Sequence, residues 1–223
     1  MFKNKKLIIF DLDGTLIDSA KSLAKALNFM LNSLGRTDFS EDTVRTWIGN
    51  GAQILVKRAL TGKKDFNDEE IDDELFKKAL DIFLDYYAQN LTKETSLYPK
   101  VKESLETLKN SGYRLAIATN KPTKFIKPIL EFFEIKELFE LYLGGDSVSK
   151  KKPDPQMLIE VCKKAGINPD FAVMVGDSKN DSIAAEKAGI DFIAVTYGYK
   201  DNANFLETKV TVDDFEKILD YLR

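Results

Sequence analysis

The chain has 223 residues, 43% of them hydrophobic and 31% charged, with a net charge of −3. That is the composition of an ordinary globular protein, with room for one sizeable core or a core and a smaller inserted domain, and it excludes a disordered chain. The acidic balance argues against a nucleic-acid partner, and no apolar run reaches bilayer-spanning length.

There is no histidine, which removes every histidine-base mechanism and most zinc sites. Carboxylates, lysines, hydroxyls and backbone dipoles are left for chemistry. A single cysteine, Cys162, forms no internal disulfide, and the start MFKNKKLIIF shows no signal-type cleavage region, so a reducing cytoplasm is expected. Cys162 lies beside Leu158, Ile159 and Val161 in a helical pattern and reads as packed core.

In chain order, Lys5 and Lys6 lead into the unbroken apolar run Leu7, Ile8, Ile9, Phe10, which predicts a strand buried on both faces. Asp11, Leu12, Asp13, Gly14 and Thr15 follow at its carboxyl end, where open α/β sheets bind ligands. Two close carboxylates repel, so Asp11 and Asp13 need a shared proton or a cation. They form a metal site or an acid/base pair; the plain alternative is an Asp-Gly turn.

From 19 to 34 Leu23, Ala24, Leu27, Met30, Leu31 and Leu34 recur at helical spacing, and Gly35 stops the helix. Residues 37–91 hold no convincing strand but two short helical pieces, EDTVRTWI and AQILVKRAL, and a long one over 69–90. Between the short pieces, Gly49-Asn50-Gly51 forms a loop whose amides can approach an anion. This all-helical block over 19–96 reads as a cap domain inserted into an α/β core of 1–18 and 97–223.

The α/β rhythm then resumes. Pro99 opens a helix in an N1-type position, RLAIAT is a second buried strand, and a helix over 123–133 precedes a short strand at LYLGG. The polar stretch DSVSKKKPDPQ leads to a helix over 156–165, AVMVG is a fourth strand, and a helix over 180–188 follows. A fifth strand over 192–195 and a closing helix over 212–222 complete a doubly wound parallel α/β sheet.

The residues just after the buried strands are Asp11 and Asp13, then Thr119 and Asn120, then Asp177 with Asp181. Parallel strands end together, so these groups meet at one edge. Several carboxylates without histidine or thiolate describe an oxygen-ligand site for Mg²⁺. Thr119, Asn120 and a lysine from Lys150, Lys151 or Lys152 supply groups for phosphate oxygens, and together they predict phosphoryl transfer.

DLDGTLIDS, Thr119-Asn120-Lys121, Lys152 in KPDP, and GDSKND resemble, in order, the four motifs of the haloacid dehalogenase-like hydrolases. The resemblance covers essentially the whole chain and implies that family's Rossmann-like core. It implies that Asp11 is the nucleophile, forming an aspartyl-phosphate, and that Asp13 is the general acid/base. Thr119 and Asn120 then bind phosphate, Lys152 balances charge on nucleophile and phosphate, and Asp11, Asp13 (by its carbonyl), Asp177 and Asp181 hold Mg²⁺.

Within that family VRTWIGNG and RAL in the cap, with TNKPT and TYGY, are most similar to the phosphoglycolate phosphatases. This implies a small-molecule phosphate ester, 2-phosphoglycolate, as substrate, with Asn50 and Arg58 facing its carboxylate. Trp47 is expected to pack the cap. A pyrophosphatase, a broad sugar-phosphate phosphatase and a β-phosphoglucomutase-like mutase share the core residues, and a phosphoprotein-binding domain is the non-enzymatic alternative. No nucleic acid or membrane partner is expected, and the chain is expected to be a monomer or weak homodimer.

Overall fold

The computed structural model describes residues 2, 4–199 and 210–222. In chain order the elements are β1 (Leu7–Phe10), β2 (Ile17–Asp18), α1 (Ala20–Ser33), α2 (Glu41–Arg45), α3 (Ala52–Thr61), α4 (Asp73–Gln89), β3 (Ser96–Leu97), α5 (Val101–Asn110), β4 (Arg114–Ala118), α6 (Thr123–Phe132), β5 (Leu141–Leu143), α7 (Gln156–Ala165), β6 (Ala172–Gly176), α8 (Lys179–Ala188), β7 (Asp191–Val195), β8 (Val210–Val212) and α9 (Leu219–Leu222). They fall into two compact units, Met1–Asp18 with Leu97–Arg223, and Ser19–Ser96.

The first unit is built on a six-stranded sheet in the order β5-β4-β1-β6-β7-β8. Every neighbouring pair in it is parallel. The apolar run of β1 is central, with Leu7 opposite Arg114 on one side and Ala172 on the other. All four β1 residues are fully buried, as a strand covered on both faces requires. On one face Leu7, Ile9, Ala116, Ala118 and Met174 pack with Met157, Val161 and Ala184 of α7 and α8. On the other, the Phe10 ring meets Phe139 edge-on at 6.2 Å and Phe215 at 5.8 Å. The chain leaves β1 for one side of the sheet and returns to the other at β6, so the carboxyl ends of β1, β4 and β6 surround a topological switch point.

The second unit is helical. Leu23, Leu27, Met30 and Leu31 of α1, Val44 of α2, Leu55 and Val56 of α3, and Ala79, Phe83 and Tyr87 of α4 are buried. Trp47 is buried and lies edge-on to Phe39 at 4.8 Å, the packing role expected of it.

Four details differ from the sequence reading. The helix expected over 69–90 is a 3₁₀ turn, Asp68–Glu70, followed by α4. Ile71 is extended, and the Asp72 carboxylate accepts from the Leu75 N–H at 2.8 Å, capping a new start. Pro99 is not at N1: the helix cap is Lys100, in the left-handed region at φ 63°, and α5 begins at Val101. The closing helix begins later than expected, because Val210–Val212 forms a sixth parallel strand on β7. Only a 3₁₀ turn, Phe215–Ile218, and the short α9 follow it. Finally, β2 and β3 pair in a separate two-stranded ribbon that the sequence reading did not contain.

Candidate active site

The carboxyl edge of the sheet gathers the charged residues of the four motifs. Asp11 continues β1 by donating its N–H to the Val175 carbonyl at 3.0 Å, and its Oδ1 accepts the Leu12 N–H at 2.7 Å. Asp177 follows β6, and Asp181 lies in the first turn of α8. Asp11, Asp177 and Asp181 each turn a carboxylate oxygen to within 4.8 Å of the other two, and all three are buried. Three buried, oxygen-only donors fit a hard divalent cation.

Lys152 is the cation already among them. Its side chain is 1% exposed, and its Nζ donates to Asp181 Oδ1 at 2.5 Å and the Ala118 carbonyl at 2.6 Å, and lies 3.1 Å from Asp11 Oδ1. Its neighbours Lys150 and Lys151 do not share that position: Lys150 is exposed and meets Asp154. Asn120 clamps Lys152 from behind. Its amide donates to the Lys152 carbonyl at 2.9 Å and accepts the Lys152 N–H at 3.0 Å. The Asn120 side chain thus positions the lysine's main chain. Thr119 is buried at the end of β4, its Oγ1 accepting the Lys121 N–H at 3.3 Å.

Asp11 and Asp13 do not share one partner. The strand ends before Asp13, whose carboxylate meets Lys121 Nζ at 3.0 and 3.1 Å. Four carboxylates and two lysines leave a formal −2 at this edge, the charge one divalent cation balances.

Electrostatics follow from that crowding. Burial pushes the Asp11 carboxyl up to about 7, against the pull of Lys152, with Asp181 and Asp13 adding to the rise. Burial also holds Asp177 well above the ordinary carboxylate range, helped by Asp181 and Asp11. Lys152 is raised: burial opposes its charge, but Asp11 and Asp181 outweigh it. Burial thus disfavours the ionised forms of Asp11 and Asp177, and a cation beside them would favour those forms.

The segment after β7 carries contacts that the sequence motifs did not announce. The Tyr199 N–H donates to Asp177 Oδ2 at 2.8 Å, and Tyr197 Oη donates to the Thr15 carbonyl at 2.7 Å. A Cβ on Gly198 would lie 2.3 Å from the Gly14 carbonyl oxygen and 2.4 Å from Asp177 Oδ2. On Gly14, at φ +84°, it would lie 2.2 Å from the same Oδ2. Both glycines let backbone close on Asp177. TYGY held the signal as a Gly between tyrosines at a strand end, though nothing in it names Asp177.

The family model of the haloacid dehalogenase-like hydrolases matches residues 8–195. The chain belongs to that family. It is 44% identical to a phosphoglycolate phosphatase of Psychrobacter arcticus over 98% of this chain and 96% of the relative. It is 46% identical to one of Colwellia psychrerythraea over 97% and 96%. A solved structure described as a predicted phosphoglycolate phosphatase from Haemophilus somnus superposes with a TM-score of 0.90 at 42% identity, covering 98% of both chains. The family's Rossmann-like α/β core is the sheet described above, and the chain is a hydrolase.

Two expected substrate contacts lie in the helical unit. Arg58 is buried, and its guanidinium donates to the Trp47 carbonyl at 2.5 Å, the Lys64 carbonyl at 2.8 Å and Asn50 Oδ1 at 3.2 Å. It is thus not a surface residue: it ties the Gly49-Asn50-Gly51 loop to α3. Asn50 is half-buried, with its side-chain oxygen on Arg58. Cys162 is 2% exposed, and burial pushes its thiol up to about 11, which leaves it core. Among the described residues, no helix is long and apolar enough to cross a membrane.

Proposed function

We propose that the protein is a Mg²⁺-dependent phosphomonoester hydrolase that works through an aspartyl-phosphate on Asp11 and acts on 2-phosphoglycolate. The observation that carries the chemistry is the Lys152 ammonium, bonded to Asp181 and 3.1 Å from Asp11 Oδ1, among three carboxylates arranged for a cation. The substrate follows the names of the relatives at 44 and 46% identity.

Asp11, Asp177 and Asp181, with the Asp13 main-chain carbonyl, would hold Mg²⁺. When bound, it lowers the charge repulsion between a carboxylate nucleophile and a phosphate dianion. Asp11 attacks phosphorus through a carboxylate oxygen while the bond to the ester oxygen breaks. Lys152 pairs with the nonbridging phosphate oxygens, and Thr119 and the amides at the end of β4 bind the rest of the phosphate. Asp13 donates a proton to the departing alkoxide and later takes one from the water that attacks the aspartyl-phosphate, which restores Asp11. Asp181 holds Lys152, so it serves the nucleophile as well as the cation. Residues 19–96 act as the cap and 1–18 with 97–223 as the catalytic core; the Asn50 loop offers its amides to the substrate, and Arg58 supports that loop.

The test is Mg²⁺-dependent phosphate release measured across 2-phosphoglycolate, pyrophosphate, glucose 1-phosphate, nucleotides and phosphonoacetaldehyde. Preference for 2-phosphoglycolate, abolished by a chelator, is expected. Preference for another compound overturns the substrate, and no release from any overturns the phosphatase.

A further inference from the structure

Lys121 has no part in the chemistry above, yet it is one of two buried lysines at the carboxyl edge of the sheet. Its main chain is fixed: the N–H donates to Thr119 Oγ1 at 3.3 Å and the carbonyl accepts the Gly145 N–H at 2.9 Å. Its side chain, 3% exposed, ends with Nζ astride both oxygens of Asp13, at 3.0 and 3.1 Å. The two lysines divide the carboxylates. Lys152 serves Asp11 and Asp181, on the side of the attacking group, whereas Lys121 serves Asp13.

We propose that Lys121 reads the leaving group: its ammonium binds a carboxylate carried on the carbon next to the ester oxygen, and so selects anionic leaving groups over neutral ones of equal size. This rests on the phosphatase reading and on Asp13 handling the leaving oxygen. A proton passes from Asp13 to that oxygen only across a hydrogen bond of about 3 Å. An ammonium 3.0 Å from the same carboxylate therefore stands within roughly 6 Å of the leaving oxygen. In a glycolate group the carboxyl carbon is two bonds from the ester oxygen. One of its oxygens can close on Lys121 Nζ while the ester oxygen stays on Asp13, forming a charge-assisted hydrogen bond of about 2.8 Å.

One observation favours this residue over Arg58 as the source of positive charge. Arg58 already donates to two carbonyls and to Asn50, so its guanidinium is committed to the loop. A buried ion pair is also weak evidence for stability, because desolvation offsets its attraction. The Lys121–Asp13 pair thus has more to explain it in recognition than in folding. A neutral leaving group brings no anion to the ammonium, and the transition state loses one charge-assisted contact.

The experiment compares 2-phosphoglycolate with 2-hydroxyethyl phosphate, which replaces the carboxylate by a hydroxymethyl group, in wild type, Lys121→Met and Lys121→Arg with Mg²⁺. Both substrates are expected to lose activity in Lys121→Met, since Asp13 loses its partner, so the readout is the ratio of their kcat/KM values. The preference for 2-phosphoglycolate is expected to fall about 30-fold in Lys121→Met, chiefly through KM, and to survive in Lys121→Arg. Glycolate is expected to inhibit wild type competitively and ethylene glycol not; this arm needs no variant to fold. An unchanged ratio in a folded Lys121→Met protein, or equal inhibition by the two alcohols, overturns the assignment while leaving the phosphatase intact. Wild type that releases phosphate from neither ester overturns 2-phosphoglycolate as the substrate, and this assignment with it, while release from another phosphate compound keeps the phosphatase.

Discussion

Asp11 and Asp13 stand two apart in the sequence and answer to different lysines, and this division is the main thing the structure adds to the motif. Their repulsion, plain from the sequence, called for a shared proton or a cation; the fold gives each an ammonium and brings Asp11, Asp177 and Asp181 together as a group that could hold a cation. Replacing Asp11 with Asn is expected to abolish phosphate release, by about 10³-fold or more, with no fall in melting temperature. Asp13→Asn is expected to slow both formation and breakdown of a phosphoenzyme trapped by acid quench. The raised carboxyls set a pH dependence as well. Asp11 binds its proton more tightly in the fold, to about 7, than its ordinary value of 3.8. Its contribution to stability is therefore complete below about pH 4 and lost as pH rises through about 7. Asp177 acts in the same direction. A divalent cation binds the ionised forms, so the rise in melting temperature on adding Mg²⁺ is expected to be larger near pH 8 than near pH 5. A rise independent of pH contradicts this account.

At the scale of elements, what was legible followed from periodicity, and what was missed followed from local geometry. The buried runs at Leu7–Phe10 and Ala172–Gly176 and the helix Gln156–Ala165 carry unambiguous patterns, and their ends set the positions of Asp11, Lys152 and Asp177. Val210–Val212 is too short for its alternation to declare a strand, and it becomes one only because β7 presents a free edge. The break before α4 was present in the sequence as Asp72 three residues ahead of Leu75, a capping arrangement hidden inside a longer apolar periodicity. Asp72→Ala is expected to destabilise the protein by about 1 kcal/mol in denaturant unfolding, with catalysis unchanged. The loop around Asp177 was illegible because its contacts join Gly14 to Gly198, far apart in the chain. Gly198→Ala places a methyl against the Gly14 carbonyl and Asp177. It is expected to weaken Mg²⁺ binding, read as a reduced thermal shift, beyond any loss of stability.

At the scale of the whole molecule, the helical insertion showed itself as a long interval without strands. The second unit, Ser19–Ser96, has its own apolar interior in Leu27, Met30, Val56, Phe83 and Tyr87. The first keeps every carboxylate and lysine of the candidate site. Its two chain breaks are adjacent, because β2 and β3 are hydrogen-bonded neighbours, and paired strands lie about 5 Å apart. A linker of about three glycines therefore spans 18 to 97 without pulling on β1. Joined this way, the first unit is expected to unfold cooperatively and to keep a Mg²⁺-induced rise in melting temperature, since none of its proposed ligands is removed. Selectivity among leaving groups separates the two sources of recognition: a selection made by Lys121 persists in the shortened protein, whereas one made by the Asn50 loop disappears with it.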